Sequence, residues 1–212
     1  MANDYQQELK DLYRLVKEYG TLSVSLLAQS VDAFDQRVVP RALEVLKQEP
    51  RTDDLKKEVE KRAITIITTH LPMAGDMRRI IAIIKASSDL ERISDNAVQI
   101  ALLARDATQK REPKIFELTD VAHKTTTLIS DALAAFLDED DSKVKSAAAI
   151  EEEVDGMYKE LSRNVVTYMM QNPQQIEAGL KVFNILRRLE RAADHGENIA
   201  EHYTSIIKEE TA

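Results

Sequence analysis

Residues 90–95 read Leu-Glu-Arg-Ile-Ser-Asp, and residues 189–194, which lie 99 positions later, read Leu-Glu-Arg-Ala-Ala-Asp. The match continues at the same offset, with Ile100-Ala101 corresponding to Ile199-Ala200. Further out, Arg62 and Pro72 correspond to Arg163 and Pro173 at an offset of 101, and Ala33-Phe34 corresponds to Ala135-Phe136 at 102. Offsets that drift by only three residues indicate an internal duplication, and a period near 100 is typical of a duplicated small domain.

Apolar residues recur at helical spacing throughout the chain, interrupted by prolines and polar turns. The pattern predicts six helices, three in each half, over residues 4–34, 40–70, 75–107, 115–137, 142–171 and 174–208. Pro50 is expected to kink or break the second helix, and Asp53 is a candidate cap for its restart. Ser142 is the expected N-cap of the fifth helix. Pro72 and Pro173 are expected to end the second and fifth helices.

Three amphipathic helices joined by short turns should pack as an antiparallel bundle around one apolar seam. The predicted fold is therefore all-α, a tandem repeat of two antiparallel three-helix bundles. The first bundle is predicted over residues 1–108 and the second over residues 113–212, with Thr108–Pro113 as a short linker. A single elongated bundle, with helices that continue across the linker, is the alternative architecture.

The composition limits the classes of function. Hydrophobic residues make up 43% of the 212 residues, enough for a core, while only five glycines and five prolines argue against a β-rich fold. A net charge of −8 without a basic stripe argues against nucleic-acid binding. There is no cysteine, no apolar run near the roughly 18 residues of a membrane span, and no secretory signal at the N-terminus. We therefore expect a cytoplasmic protein.

Four pairs of acidic residues share one spacing. They are Glu91 with Asp95, Glu190 with Asp194, Glu49 with Asp53, and Glu151 with Asp155. A spacing of four places both carboxylates on one helix face, about 5–6 Å apart at Cβ. Because the second and third helices of a bundle are neighbours, the pairs are expected to face each other within each half.

Facing carboxylates repel one another, so they need compensating cations. All-oxygen ligands suit hard metal ions such as Mg²⁺, Ca²⁺, Mn²⁺ and ferric iron, and Zn²⁺ is a further candidate. The plainer interpretation is a solvated acidic surface with salt bridges from nearby arginines such as Arg92 and Arg191. The sequence leaves both interpretations open.

No catalytic motif accompanies these acidic pairs. The chain has no Gly-rich phosphate loop, no Ser-centred elbow and no His-Glu-x-x-His motif. His195 and His202 lie on one face beside the acidic stripe, but the Glu-x-x-His pairs of di-iron bundles are missing. We therefore predict that the protein is not an enzyme. A di-metal helical-bundle enzyme and a metal-free helical scaffold are kept as alternatives.

The duplicated segments carry a resemblance to a known family. Residues 90–95 resemble the third-helix signature of PhoU proteins, with Ser94 where glycine is usual, and residues 189–194 resemble its second copy. Arg163–Met170 and the Pro72 stop are also similar to that family. The resemblance implies two three-helix bundles related by a pseudo-twofold axis.

The same resemblance implies a role in phosphate homeostasis. Its implied partners are the ATPase subunit of the phosphate ABC transporter, which the protein would restrain, and the sensor histidine kinase of the phosphate response, which it would damp. It also implies metal at Glu91, Asp95, Glu151, Asp155, Glu190, Asp194, Glu49 and Asp53. A homodimer, with membrane association only through partners, is expected. This sequence departs from the family pattern at Pro50, inside the Glu49–Asp53 pair, and at Ala192-Ala193.

Overall fold

The computed structural model describes residues 2–110 and 114–210, with side chains between residues 4 and 205 of those ranges. Its helices are α1 (Ala2–Asp35), α2 (Val39–Lys47), α3 (Glu49–His70), α4 (Ala74–Gln109), α5 (Thr119–Asp138), α6 (Asp141–Gln171) and α7 (Ile176–Glu210), with a 3₁₀ turn at Pro173–Gln175. These ranges contain no β-strand, which confirms the all-α fold class.

The predicted second helix is two helices. α2 ends at Lys47 and α3 begins at Glu49, so the break falls before Pro50. Pro50 occupies the second position of α3, where its missing N–H would have had no partner within the helix. The predicted cap at Asp53 is therefore wrong, because Asp53 lies inside α3. For the same reason, Pro50 leaves the helical spacing of Glu49 and Asp53 intact.

The other helix ends follow the prolines and polar turns. α3 ends at His70, and its C-cap residue Leu71 adopts a left-handed conformation with φ 47° immediately before Pro72. The predicted N-cap at Ser142 is wrong, since the cap is Asp140, whose carboxylate accepts a hydrogen bond from the Ser142 N–H at 2.9 Å. A carboxylate at the cap also interacts favourably with the helix dipole.

The connection between the halves is partly outside the described residues. α4 continues to Gln109, so Thr108 is helical rather than part of the predicted linker, and residues 111–113 are not described. Residues 114–118 are not helical, and α5 begins at Thr119. The alternative architecture, an elongated bundle with helices that continue from one half into the other, is therefore contradicted by residues 114–118.

One apolar core extends through both halves. α4 packs against α1 and α3 of its own half and against α7 of the other, while α5 packs against α6, α7 and α1. The largest side chains with almost no exposed surface include Tyr19, Phe34 and Leu90. α4 and α7 run antiparallel, since Asp89 in the middle of α4 contacts His202 near the end of α7, and Asp106 near the end of α4 contacts Lys181 near the start of α7. This pairing joins the C-terminal part of α4 to most of α7.

Close helix crossings depend on small residues. A Cβ atom at Gly196 of α7 would lie 2.6 Å from Leu128 Cδ2 and 3.4 Å from Ile129 Cα of α5. Gly196 therefore lets α5 and α7 approach more closely than a side chain would permit. Among the described helices, none has the length and hydropathy needed to cross a bilayer.

Candidate functional site: two acidic helix faces

The acidic pairs of the second half lie on the neighbouring helices α6 and α7. Glu151 and Asp155 are on α6, and Glu190 and Asp194 are on α7; we call these four residues the second-half box. Each is spaced four residues from its helix partner, so both pairs project along one face. The predicted facing arrangement is supported by the electrostatics, because charges on each helix act on carboxylates of the other.

Burial and mutual repulsion both oppose ionisation in the second-half box. Burial, followed by the charges of Asp155 and Asp194, raises the pKa of Glu151. Burial raises the pKa of Glu190, with Asp194 and Asp155 adding to the effect. Burial likewise raises the pKa of Asp194, and Asp155 adds to it while His195 opposes it. The box therefore concentrates negative charge that favours a bound cation.

Two further residues belong to this cluster. Lys159 donates a hydrogen bond to Asp155 at 2.6 Å and supplies one compensating charge within α6. Burial raises the pKa of Glu197, and the charge of Glu151 raises it further. Glu197 lies outside the four predicted pairs, so sequence spacing did not find it, although it follows Glu190 by seven residues on the same helix face.

The first-half box, which we define as Asp53, Glu91 and Asp95, lies between α3 and α4. Burial raises the pKa of Asp95, and the charges of Glu91 and Asp53 raise it further while Arg92 lowers it. Lys56 of α3 donates a hydrogen bond to Glu91 at 2.8 Å, and this contact raises the pKa of Lys56. The first half thus already contains a cation from the protein itself.

The predicted fourth member of the first-half group, Glu49, is placed differently. It is exposed at the first residue of α3 and is not among the main charges acting on Asp95. Tyr19 of α1 lies closer to the group. Its burial, and then the charges of Glu91 and Asp95, raise the pKa of the phenol. The buried phenol therefore remains protonated next to the first-half box. The search for acidic pairs could find neither Tyr19, which lies on the separate helix α1, nor Lys56, which is basic.

The donor chemistry of the boxes suits a hard cation, but their side chains are not arranged as a ligand set. Within residues 4–110 and 114–205, no three Asp, Glu or His side chains converge as metal ligands. Carboxylates that are partly exposed can rotate toward an ion, and in the second half Asp155 would have to release Lys159 first. Metal binding at these residues stays a prediction.

The two histidines considered beside the acidic stripe have a different partner. His195 Nδ1 lies 2.9 Å from Asp89 Oδ1, and His202 Nε2 lies 2.8 Å from Asp89 Oδ2. Burial opposes ionisation of Asp89, but the hydrogen bonds with His195 and His202 outweigh it and hold the pKa of Asp89 at about 2. This Asp-His-His cluster joins α4 to α7, so it links the two halves.

Comparison with known proteins identifies the family. The model of the PhoU domain matches twice, over residues 16–104 and 118–202. A phosphate-specific transport system accessory protein PhoU homolog from Caulobacter vibrioides is 33% identical over 204 residues, covering 94% of this chain and 88% of the relative.

Two solved structures share the fold over nearly their whole length. The crystal structure of PhoU from Pseudomonas aeruginosa matches with a TM-score of 0.92 and 29% identity, covering 97% of this chain and 99% of that one. The crystal structure of the phosphate transport system regulatory protein PhoU from Streptococcus pneumoniae matches with a TM-score of 0.87 and 25% identity, covering 98% and 99%. The double match to the PhoU domain, together with these relatives and structures, shows that the chain belongs to the PhoU family.

Proposed function

We propose that this chain regulates phosphate uptake and phosphate-starvation signalling as a non-catalytic adaptor. The observation that carries the proposal is the double match to the PhoU domain, which covers both halves of the chain. Relatives that match over nearly the whole chain are named phosphate-specific transport system accessory proteins, which supports a regulatory role in phosphate transport.

The proposed action is binding rather than turnover. In the cytoplasm, the chain would restrain the ATPase subunit of the phosphate ABC transporter and damp the sensor histidine kinase of the phosphate response. The acidic faces support this role because they are partly exposed and carry concentrated negative charge, which gives orientation and speed to protein association.

Capture of purified partners tests the adaptor function. The tagged chain would be mixed separately with the transporter ATPase subunit and the cytoplasmic part of the sensor kinase, with and without inorganic phosphate. We expect at least one of them to be retained. If neither partner is retained in either condition, the adaptor assignment fails.

We also propose that the boxes bind a metal ion, with Glu151, Asp155, Glu190 and Asp194 as ligands in the second half, and the first-half carboxylates with Glu49 as the weaker counterpart. A bound ion would neutralise repulsion that now raises the pKa of Glu190 and its neighbours. Lys56 pairs with Glu91 in the first half and Lys159 pairs with Asp155 in the second, so each half must release one lysine. The second-half box has four neighbouring carboxylates against three in the first-half box, which favours the second half as the stronger site.

Elemental analysis tests the metal site. Native protein is compared with Glu190→Ala/Asp194→Ala and with Glu152→Ala/Glu160→Ala, which removes equal charge from exposed positions of α6. We expect only the first variant to lose bound metal. Equal metal content in all three proteins would remove the site assignment and leave the adaptor function intact. Light scattering of the same samples measures whether the protein is the proposed homodimer.

A further inference from the structure

Exposed apolar side chains are concentrated at equivalent places in the two halves. Among the described residues, nine large apolar side chains are exposed, and eight of them lie on two helical hairpins. Four are on α3, α4 and their turn, and four are on α6 and α7. Scattered exposed apolar residues need no explanation, but such grouping marks an interaction surface.

The second group forms a continuous surface, which we call the α6–α7 apolar tip. Val166 and Met170 are four residues apart on α6, with 42% and 78% of their surface exposed. Ile176 and Leu180 are four residues apart on α7, with 45% and 50% exposed. Each pair therefore lies on one face of its helix.

Helix geometry places both pairs on the same side of the hairpin. Met169 of α6 packs directly on Gly179 of α7, which fixes the line where the two helices meet. Each exposed pair lies about 60–100° around its helix from that line, at about 100° per residue. Because the helices are antiparallel, equal rotations bring both pairs to the outer side of the hairpin. The buried residues Val165 and Val182 lie on the inner side.

The second-half box continues this outer side away from the tip. On α6, Glu151 and Asp155 precede Val166 and Met170 by about 15 residues, which is roughly 22 Å of helix at 1.5 Å per residue. On the same helical wheel, Asp155 and Asp194 fall on the outer side of the line where α6 meets α7. One elongated surface therefore has an apolar end and an acidic end.

The acidic end also contains cations. Burial raises the pKa of Glu190, while the charges of Arg191 and Arg187 oppose that larger effect, and Lys159 acts in the same way on Glu151. Further exposed carboxylates extend the acidic cluster, so this end of the surface keeps a net negative charge; they are Glu152, Glu197 and Glu201.

We propose that the outer side of the α6–α7 hairpin is a docking surface for a helical segment of a partner protein that is apolar at one end and rich in lysine and arginine at the other. The inference rests on the proposed adaptor function and adds the chemistry of the partner to it. Its basis is charge complementarity, since the acidic end selects a basic segment while the tip buries its apolar residues.

The same pattern argues against other occupants. A second copy of this face would place its acidic end against the same acidic end or against the apolar tip, and neither pairing is complementary. An anionic membrane surface would be repelled by the box. A basic amphipathic segment satisfies both ends at once.

A synthetic helical peptide tests the surface directly. The probe is a fluorescent 18-residue peptide with leucines at helical spacing in one half and lysines on the same face of the other half. A second peptide carries glutamates in place of the lysines. Binding is measured by anisotropy in buffer with EDTA, so that bound cations do not screen the box. We expect the native protein to bind the lysine peptide at least tenfold more tightly. Equal affinity for the two peptides, or no binding of either, would overturn the proposal.

Three variants locate the binding. Met170→Glu/Leu180→Glu is expected to weaken binding of the lysine peptide at least tenfold, and Glu190→Gln/Asp194→Asn should remove the preference for lysine over glutamate. Leu43→Glu is the matched control, because Leu43 is the ninth exposed apolar residue, with 41% exposure, and lies on α2. Loss of binding in Leu43→Glu equal to that in the tip variant would contradict the assignment. Circular dichroism verifies that all three variants fold.

The purified transporter ATPase subunit and sensor kinase provide the second arm. If the native protein captures a partner and Met170→Glu/Leu180→Glu captures the same amount, the docking surface is wrong while the adaptor function stands. If the native protein captures neither, the adaptor function fails, and the peptide measurements decide the surface alone. If the tip variant converts a native dimer to a monomer, the face is an interface between copies, and the proposal is overturned.

Discussion

Replacement of Asp35 by alanine should weaken the attachment of the second half to the first. Asp35 is the last residue of α1, and its Oδ2 accepts hydrogen bonds from the Leu118 N–H and the Thr119 hydroxyl, both at 2.8 Å. These groups stand at the start of α5, so a residue of one half caps a helix of the other. Only 4% of the Asp35 surface is exposed, so water cannot take over the lost bonds.

The expected loss of stability in Asp35→Ala has two sources, the removal of the capping side chain and the buried N–H of Leu118 that is left without a partner. Removal of a capping side chain costs about 1–2 kcal/mol. A buried N–H left without a partner costs about 1–3 kcal/mol. Alanine also removes the cost of burying a carboxylate, which offsets part of this loss, since burial raises the pKa of Asp35. We expect a net loss of about 2 kcal/mol, which lowers Tm by roughly 4–8 °C for a chain of this size.

Urea unfolding followed by circular dichroism measures the change. Asp32→Ala is the matched control, because Asp32 lies on the same helix with a side chain that is 41% exposed and only a surface ion pair to Arg41. We expect it to change stability by less than about 1 kcal/mol. A loss below about 0.5 kcal/mol in Asp35→Ala would refute the cross-half cap, because that is the range of ordinary surface substitutions.

Asp35→Asn separates the hydrogen bonds from the charge. Asparagine retains an oxygen acceptor, so Asp35→Asn should lose less stability at neutral pH than Asp35→Ala does. A raised pKa means that the folded state holds the proton more tightly than the unfolded chain. The stabilising contribution of Asp35 is therefore complete below about pH 4 and declines as the pH rises through the folded pKa. Asp35→Asn should lack that decline, and an identical pH profile in both proteins would contradict it.

Three further predictions follow from other contacts. Asp89→Asn should lower the free energy of unfolding at neutral pH by roughly 1–3 kcal/mol. Because the pKa of Asp89 is depressed to about 2, its contribution to stability is present above about pH 4 and is lost as the pH falls through about 2. The stability of the variant, measured by unfolding at a series of acid pH values, should therefore depend less on pH than that of the native protein. Gly196→Ala should lose about 1–3 kcal/mol through overpacking against α5, whereas Gly156→Ala, with open space around it, should gain roughly 0.5–1 kcal/mol in thermal or urea unfolding. In EDTA at neutral pH, Glu190→Gln/Asp194→Asn should be more stable than the native protein by a few tenths of a kcal/mol, since it removes like-charge repulsion, and a loss of stability would show that these carboxylates form favourable contacts.

The duplication made most of the fold predictable. Matching segments such as residues 90–95 and 189–194 placed three helices in each half, and proline stops at Pro72 and Pro173 located the turns. The same register brought Glu151 and Asp155 opposite Glu190 and Asp194, because the second and third helices of a small bundle must be neighbours. Periodicity carries this information because it is local in the sequence.

Contacts between distant residues were not predictable. Asp89 meets His195 and His202 across more than 100 residues, and Asp35 meets Leu118 across 83. Such contacts depend on how the two halves pack, which helical spacing does not encode. The prediction that Asp53 caps a helix after Pro50 failed for a local reason, since a proline can either end a helix or occupy its first turn.

Phosphate uptake in cells tests the central claim most directly. Uptake of radiolabelled phosphate and the output of a phosphate-starvation promoter would be measured in phosphate-rich medium, with the gene for this chain present or deleted. We expect both to rise on deletion and to return to the original level when the gene is restored. Unchanged uptake and unchanged promoter output after deletion would contradict a regulatory role in phosphate transport.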